Sequence, residues 1–297
     1  METVNIGQLA LPQRANVLDL GCGEGRHCHA MAWHHPHCLV TGVDLNCDDL
    51  HTAKTRGDHF FGAQNLTVNI AYCCANGASL PFKNASFDAV ICSEVLEHIE
   101  QYNAFLEEIN RIIKPGGLFL VSVPRAWPER ICWALSSQYH QVAGGHIRIF
   151  KAKKLVHTIE QLGFKQTQRY YAHALHSPYW WLRCLFWRWG EHALPCRLYH
   201  KLLVWDLMKK PKLTRQLEQW LNPVMGKSVV WHFIKHPTNT LPTHKPITKM
   251  LTISLRPKTS TDFIHYIMRS SLVYLLKFMI FSCWRGNCYY MLQLTHY

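Results

Sequence analysis

The strongest chemical signal in the chain is the run Val17-Leu18-Asp19-Leu20-Gly21-Cys22-Gly23-Glu24-Gly25. An apolar strand runs into a turn built on glycines. Glycine lets a ligand lie against backbone N–H groups where a side chain would collide. Asp19 puts a carboxylate at the end of that strand, which suits a cationic ligand and repels a pyrophosphate. Asp44 closes a second apolar run, Thr41-Gly42-Val43-Asp44-Leu45. A carboxylate there can accept hydrogen bonds from both hydroxyls of a ribose. A glycine turn of this kind also occurs in dinucleotide enzymes, and Asp44 fits NAD equally well. The two acidic residues therefore indicate a nucleoside with a cationic part, without deciding which.

These residues need a scaffold that carries them side by side. The first half of the chain alternates short apolar runs with polar helical stretches, the pattern of βαβ units around a parallel sheet. Strands are expected at Asn16–Leu20, Cys38–Val43, Leu66–Ala71, Phe87–Cys92, Leu118–Val123 and Phe164–Tyr171, with Ser228–Lys235 as a seventh. Helices are expected at Arg26–His34, Asp48–Arg56, Tyr102–Ile113 and Lys151–Leu162. Lys114-Pro115-Gly116-Gly117 stops the third of these. The fold class expected is α/β, a Rossmann-like doubly wound seven-stranded and mostly parallel sheet with an inserted helical cap. Residues 1–172 and 228–235 form the core, 173–227 an aromatic and basic helical cap, and 236–297 a poorly ordered C-terminal tail.

On these motifs the sequence resembles the class I methyltransferases, in particular the broad group that includes the ubiquinone and menaquinone biosynthesis methyltransferases. The resemblance covers about residues 15–170. Besides the glycine turn and Gly42-Val43-Asp44, it rests on Leu80-Pro81-Phe82, Ser86-Phe87-Asp88-Ala89-Val90, Glu94-Val95-Leu96-Glu97-His98 and Lys114-Pro115-Gly116-Gly117. It implies S-adenosylmethionine as cofactor. Asp19, Gly21 and Gly23, with Cys22 and Gly25 of the same turn, would hold its methionine end. Asp44 would bind the ribose and Leu45 would pack on the adenine. Asn76, followed by Gly77, stands where relatives carry an Asp for the adenine amino group. Cys92 ends the fourth strand, where the reactive methyl faces the substrate.

The sulfonium of such a cofactor is already activated, so the protein has to position the reactants and remove a proton. His98 and His146 are the base candidates. Glu94, Glu97 and His98 form an E-x-x-E-H pattern like one implicated in metal binding in ubiquinone O-methyltransferases. Spaced three and four apart on a helix, they would share a face. Relatives commonly cover the active site with helices before the first strand. Here strand one starts near residue 16, so the lid is expected from Ala126–Val142 or from His173–Lys227.

The net charge of +13 lies behind residue 150, and the motif-bearing half is mildly acidic. Tyr179–Trp189 and the later Trp205 and Trp220 lie among lysines and arginines, the composition of a segment at a lipid–water boundary. A hydrophobic or lipid-like small-molecule acceptor is expected, with cytoplasmic location and peripheral attachment to the inner face of a membrane. The apolar run from Leu272 to Trp284 contains Lys277 and is too short to span a bilayer. Nucleic acid is a weaker acceptor, because Cys92-Ser93-Glu94-Val95 is not the Asn/Asp-Pro-Pro-aromatic run of base-amino methyltransferases. Cofactor binding without catalysis is the other alternative. The 12 cysteines contain no C-x-x-C pair and are expected to be reduced.

Overall fold

A computed structural model of the chain describes residues 2–142 and 144–236. The expected tail lies, beyond His236, outside the described residues. The core is a seven-stranded sheet in the order β3-β2-β1-β4-β5-β7-β6. Its strands are β1 (Asn16–Leu20), β2 (Leu39–Asp44), β3 (Ile70–Cys74), β4 (Phe87–Ser93), β5 (Ile113–Pro124), β6 (Phe164–Ala172) and β7 (Ser228–Lys235). β1 to β5 pair in parallel, while β7 runs antiparallel between β5 and β6. The chain order therefore reverses at β1, the position where open α/β sheets bind ligands beyond the carboxyl ends of their strands.

Helices cover both faces. α1 (Arg26–His34) follows β1, and α2 (Cys47–Gly62) follows β2. α3 (Tyr102–Ile112) follows β4, and α6 (Ala152–Gln161) precedes β6. One apolar core joins Leu18, Val90, Phe119 and Trp231 to Phe105, Ile109 and Ile159 of α3 and α6. A second joins Val17, Ile91 and Leu120 to Met31 of α1 and to Val4 and Ile6 of the leading segment. The central strands β1, β4 and β7 and the second half of β5 are buried on both faces, which is why they read as continuous apolar runs instead of alternating ones.

Several sequence motifs prove to be braces of this scaffold. Asp88 accepts from the backbone N–H of Asn16 at 2.8 Å and from Lys114 Nζ at 2.8 Å, tying β4 to the starts of β1 and β5. Arg111 donates to Glu108 and to the carbonyls of Leu80 and Phe82, while Glu108 accepts from the Leu80 N–H. The Leu80-Pro81-Phe82 loop is thereby pinned to α3.

Two boundaries differ from the sequence expectation. α2 runs on to Gly62, and the third strand starts at Ile70 instead of Leu66. Leu66 donates its N–H to the Phe61 carbonyl at 3.0 Å, after Asn65 at a φ of 54°, so it closes the helix and is not available to the sheet. β5 starts at Ile113, before the Pro-Gly-Gly turn, and its register against β4 slips between Phe87 and Ala89. The expectation of reduced cysteines is overturned at one pair. Cys47 and Cys74 form a disulfide, because the register Asp44↔Cys74 brings the end of β3 beside the start of α2.

Between β5 and α6 lie α4 (Ala126–Leu135) and the short α5 (Gln138–Gln141). Between β6 and β7 lie α7 (His176–Leu185), α8 (Leu194–Lys209) and α9 (Lys212–Met225). Trp181 of α7 donates its indole N–H to the Pro128 carbonyl at 3.1 Å and stacks near Trp127. The two lid segments considered from the sequence therefore pack together.

Candidate functional site

A cavity of about 250 Å³ opens beyond the carboxyl ends of β1, β2 and β4. Its wall includes Gly21, Asp44, Leu45, Asn76, Gly77, Glu94 and His98. A larger hollow of about 550 Å³ lies at the sheet edge between α2 and β3, and none of the sequence-predicted site residues line it.

The parallel register Leu20↔Val43 places the glycine turn directly beside the end of β2. Gly21 and Cys22 donate their N–H groups to the Val43 carbonyl at 2.7 and 3.0 Å. Asp44 Oδ2 accepts from the Gly23 N–H at 2.8 Å, and its Oδ1 from the Asn46 N–H at 3.0 Å. Gly21 sits at a φ of 74°, and a Cβ there would lie 2.4 Å from Val95 Cγ2, so the position admits no side chain. Leu45 is exposed beside Asp44, an apolar surface at the cavity mouth.

Asp19 is buried behind the turn, where Cys28 Sγ donates to its Oδ2 at 3.3 Å. Burial raises its pKa to about 6, partly offset by the Cys28 thiol and the charge of Arg26. Cys22 and Cys92 are buried packing groups of the two cores, and neither lines the cavity. Gly25 starts α1 at a φ of 81°, close against Ala53 and Tyr72. Asn76 uses its side-chain oxygen to accept from the Ala78 N–H at 3.0 Å, which shapes the loop that carries Gly77.

β4 ends in Ser93, and Glu94 follows on the cavity wall. Glu94 has a φ of 57°, accepts from Ser122 Oγ at 2.8 Å and donates its N–H to the Ser122 carbonyl at 3.0 Å. Only the single turn Leu96–His98 follows. The helical face expected to join Glu94, Glu97 and His98 is therefore absent. His146 takes the place of Glu94: one ligand atom each from Glu97, His98 and His146 lie within 4.8 Å of one another. Glu97 is fully buried with both carboxylate oxygens unpartnered, and burial, with Glu94 adding to it, pushes its pKa up.

His146 Nδ1 lies 2.6 Å from Glu129 Oε1, a residue that sequence reasoning missed. Trp133 and Tyr139 also donate to that carboxylate. Burial pushes the Glu129 pKa up, but the hydrogen bond and charge of His146 leave it below the usual range. His98 Nδ1 meets the Gly145 carbonyl at 3.2 Å, and burial lowers its pKa. The two imidazoles lie edge to face with centroids 5.0 Å apart. Tyr139, Trp180 and Trp187 form an aromatic group beside His146.

Residues 18–121 match the family described as "Methyltransferase domain". Residues 18–121 carry a methyltransferase domain. Over 125 residues it is 31% identical to a ubiquinone biosynthesis O-methyltransferase of Coxiella burnetii, covering 42% of this chain and 50% of the relative. Over 109 residues it is 30% identical to a fatty-acid O-methyltransferase of Mycolicibacterium smegmatis, covering 37% of each. The chain thus spans about half or less of the length of these curated relatives. In fold it is similar to a methyltransferase of Methanosarcina mazei, with a TM-score of 0.51 at 15% identity over 80% of this chain and 99% of that one. It is also similar to the YcgJ protein of Bacillus subtilis, with a TM-score of 0.50 at 19% identity over 78% and 96%. The methyltransferase domain match ends before His146, Glu129 and the cap.

Gly77 gives a test of how tightly this cavity is built. A Cβ there would lie 2.1 Å from the ring of the buried Phe105. Gly77→Ala is expected to cost about 1–3 kcal/mol of stability in urea denaturation, the usual penalty for overpacking. Adding Phe105→Leu should recover part of the loss. A neutral Gly77→Ala would show that the ring does not hold the cavity wall in place.

Proposed function

We propose that the chain transfers a methyl group from S-adenosylmethionine to a small hydrophobic or lipid-like acceptor. The observation that carries this reading is one cavity wall shared by Gly21, Asp44, Leu45 and His98, with the His146–Glu129 pair lying against His98. The cavity fits the cofactor. Each Asp44 oxygen accepts one backbone N–H and keeps a lone pair for a ribose hydroxyl. Gly21 keeps the wall against Val95 thin, and Leu45 and Ile99 offer apolar faces to a base. Asn76 and Gly77 bound the same end. Asp19 supplies buried negative charge behind the turn, which favours a cationic methionine end. Gly23, at a φ of 50° with open space at its Cβ position, leaves room beside it.

Bound S-adenosylmethionine brings a methyl group already activated on sulfur, so no further activation is asked of the protein. His146 is the proposed general base. With Nδ1–H donated to Glu129, its Nε2 lone pair is left to take the acceptor's proton, and the carboxylate stabilises the imidazolium that forms. His98 lies against the same ring and orients it. Glu97, His98 and His146 also have donors suited to a divalent cation. In that second reading the three residues would hold a divalent ion, which would supply Lewis acidity beside the acceptor, and chelation would abolish activity.

The names of the relatives support an oxygen acceptor on a greasy molecule. So does the cap. Leu194, Leu198, Leu202 and Trp205 recur at helical spacing along α8, and Leu213, Leu217, Trp220 and Val224 do so along α9; all are exposed. Arg197, Lys201, Lys209, Lys210, Lys212 and Arg215, also exposed, flank them. Two apolar stripes bordered by cations suit the surface of an anionic bilayer. Of Tyr179–Trp189 and the later Trp205 and Trp220, to which the sequence pointed for this role, Trp189, Trp205 and Trp220 are exposed, whereas Trp181 is buried and Trp180 and Trp187 are half-buried around Tyr139. No helix among the described residues is long and apolar enough to cross a membrane.

Radiolabelled S-adenosylmethionine offered with a lipid extract, a total RNA and a metabolite pool should put label into the lipid fraction. His146→Ala should slow that transfer by about 10²–10⁴-fold, the range for a general base, with cofactor affinity unchanged. Label in RNA, or an unimpaired His146→Ala, would refute the acceptor class or the base respectively.

The protein should also float with anionic liposomes at low salt, and Leu213→Ser/Trp220→Ser should abolish this. Flotation equal to that on neutral liposomes, or unaffected by the double substitution, would remove the membrane contact.

A further inference from the structure

Away from this cavity, the start of the cap gathers a second group of ligand-type side chains. His173 follows β6 at a φ of 64°, and His176 opens α7. Glu218 comes from α9, more than forty residues later in the chain. One donor atom from each of the three lies within 4.8 Å of the others. Donors on a zinc ion sit about 2.0–2.2 Å from the metal, hence up to roughly 4 Å from one another. Small side-chain rotations close the remaining gap.

Three polar atoms here are buried without any partner: His176 Nδ1, Glu218 Oε1 and Asp206 Oδ1. Asp206, on α8, is itself only 6% exposed. Burial lowers the His176 pKa to about 4 and raises that of Glu218, and the charge of Asp206 acts upward on both. A buried carboxylate or imidazole without a partner destabilises the fold. Two of these atoms, on His176 and Glu218, belong to the cluster itself, and a single cation would satisfy both.

The frame around the group is fixed by other bonds. Ala174 donates its N–H to Asn222 Oδ1 at 3.0 Å, and Ser177 Oγ donates to the Met225 carbonyl at 2.7 Å. The loop carrying His173 and His176 is thereby locked to the helix that carries Glu218. Thr3 Oγ1 lies 3.1 Å from His173 Nε2, the outer partner that fixes ring orientation around a metal.

We propose that His173, His176 and Glu218 form a binding site for a divalent transition metal, zinc foremost. Two neutral imidazoles and one carboxylate are a donor set that suits zinc. The three ligands come from segments far apart in the chain, so the ion fastens α7 and α9 of the cap to the end of β6. The inference is independent of the methyl-transfer reading.

The test uses the full chain, stripped with a chelator and titrated with zinc chloride. One equivalent should bind, raise the melting temperature, and lose at least about tenfold in affinity in His176→Ala and in Glu218→Gln. Glu218→Gln nearly preserves shape, so it separates lost ligation from lost folding, which circular dichroism checks. Cobalt in place of zinc should give the visible absorption of a four-coordinate ion in the wild type alone. His146→Ala, which removes a donor from the other cluster, should bind zinc as the wild type does. No stoichiometric binding, binding untouched by both substitutions, or binding lost in His146→Ala instead would overturn the proposal.

Discussion

Everything at the candidate site depends on one carboxylate, that of Asp44. Its two oxygens take the N–H groups of Gly23 and Asn46, and so tie the turn after β1 to the turn after β2. The parallel register of the two strands makes this possible, because Leu20 pairs with Val43 and the chains leave the sheet side by side. With Gly21 and Cys22 bonded to the Val43 carbonyl, the turn has little freedom left. A site organised in this way meets its ligand without first having to order a loop, which lowers the entropic cost of binding.

The same constraint explains what could be read in the sequence. The glycines and the two acidic residues are local signals: each serves a turn next to its own strand, so spacing reveals them. The positions of the strands along the chain followed from the apolar runs. Long-range groupings were hidden. Glu129 reaches His146 across seventeen residues, from a helix that the sequence suggested only as a lid segment. The E-x-x-E-H spacing invited a helix that Glu94, at its positive φ, does not start. Cys22 and Cys92 stood in the right motifs, but their small apolar side chains turn into the two cores.

The cap shows a further limit of pattern reading. Its aromatic residues were conspicuous, but composition could not say which would turn inward. The structure divides the labour. α7 buries Trp181 against α4 and surrounds Tyr139, while α8 and α9 keep their apolar stripes outside. On the proposed function, the inner group would border the acceptor beside His146 and the outer stripes would meet a lipid surface.

The central claim, that the Asp44 end of this cavity holds S-adenosylmethionine, is tested most directly by calorimetry. The wild type should bind S-adenosylmethionine and not NAD. A folded Asp44→Ala variant should bind it more weakly by about 1–3 kcal/mol, the loss of a charged acceptor to two hydroxyls. Equal affinity in wild type and variant, or preferential binding of NAD, would contradict the account.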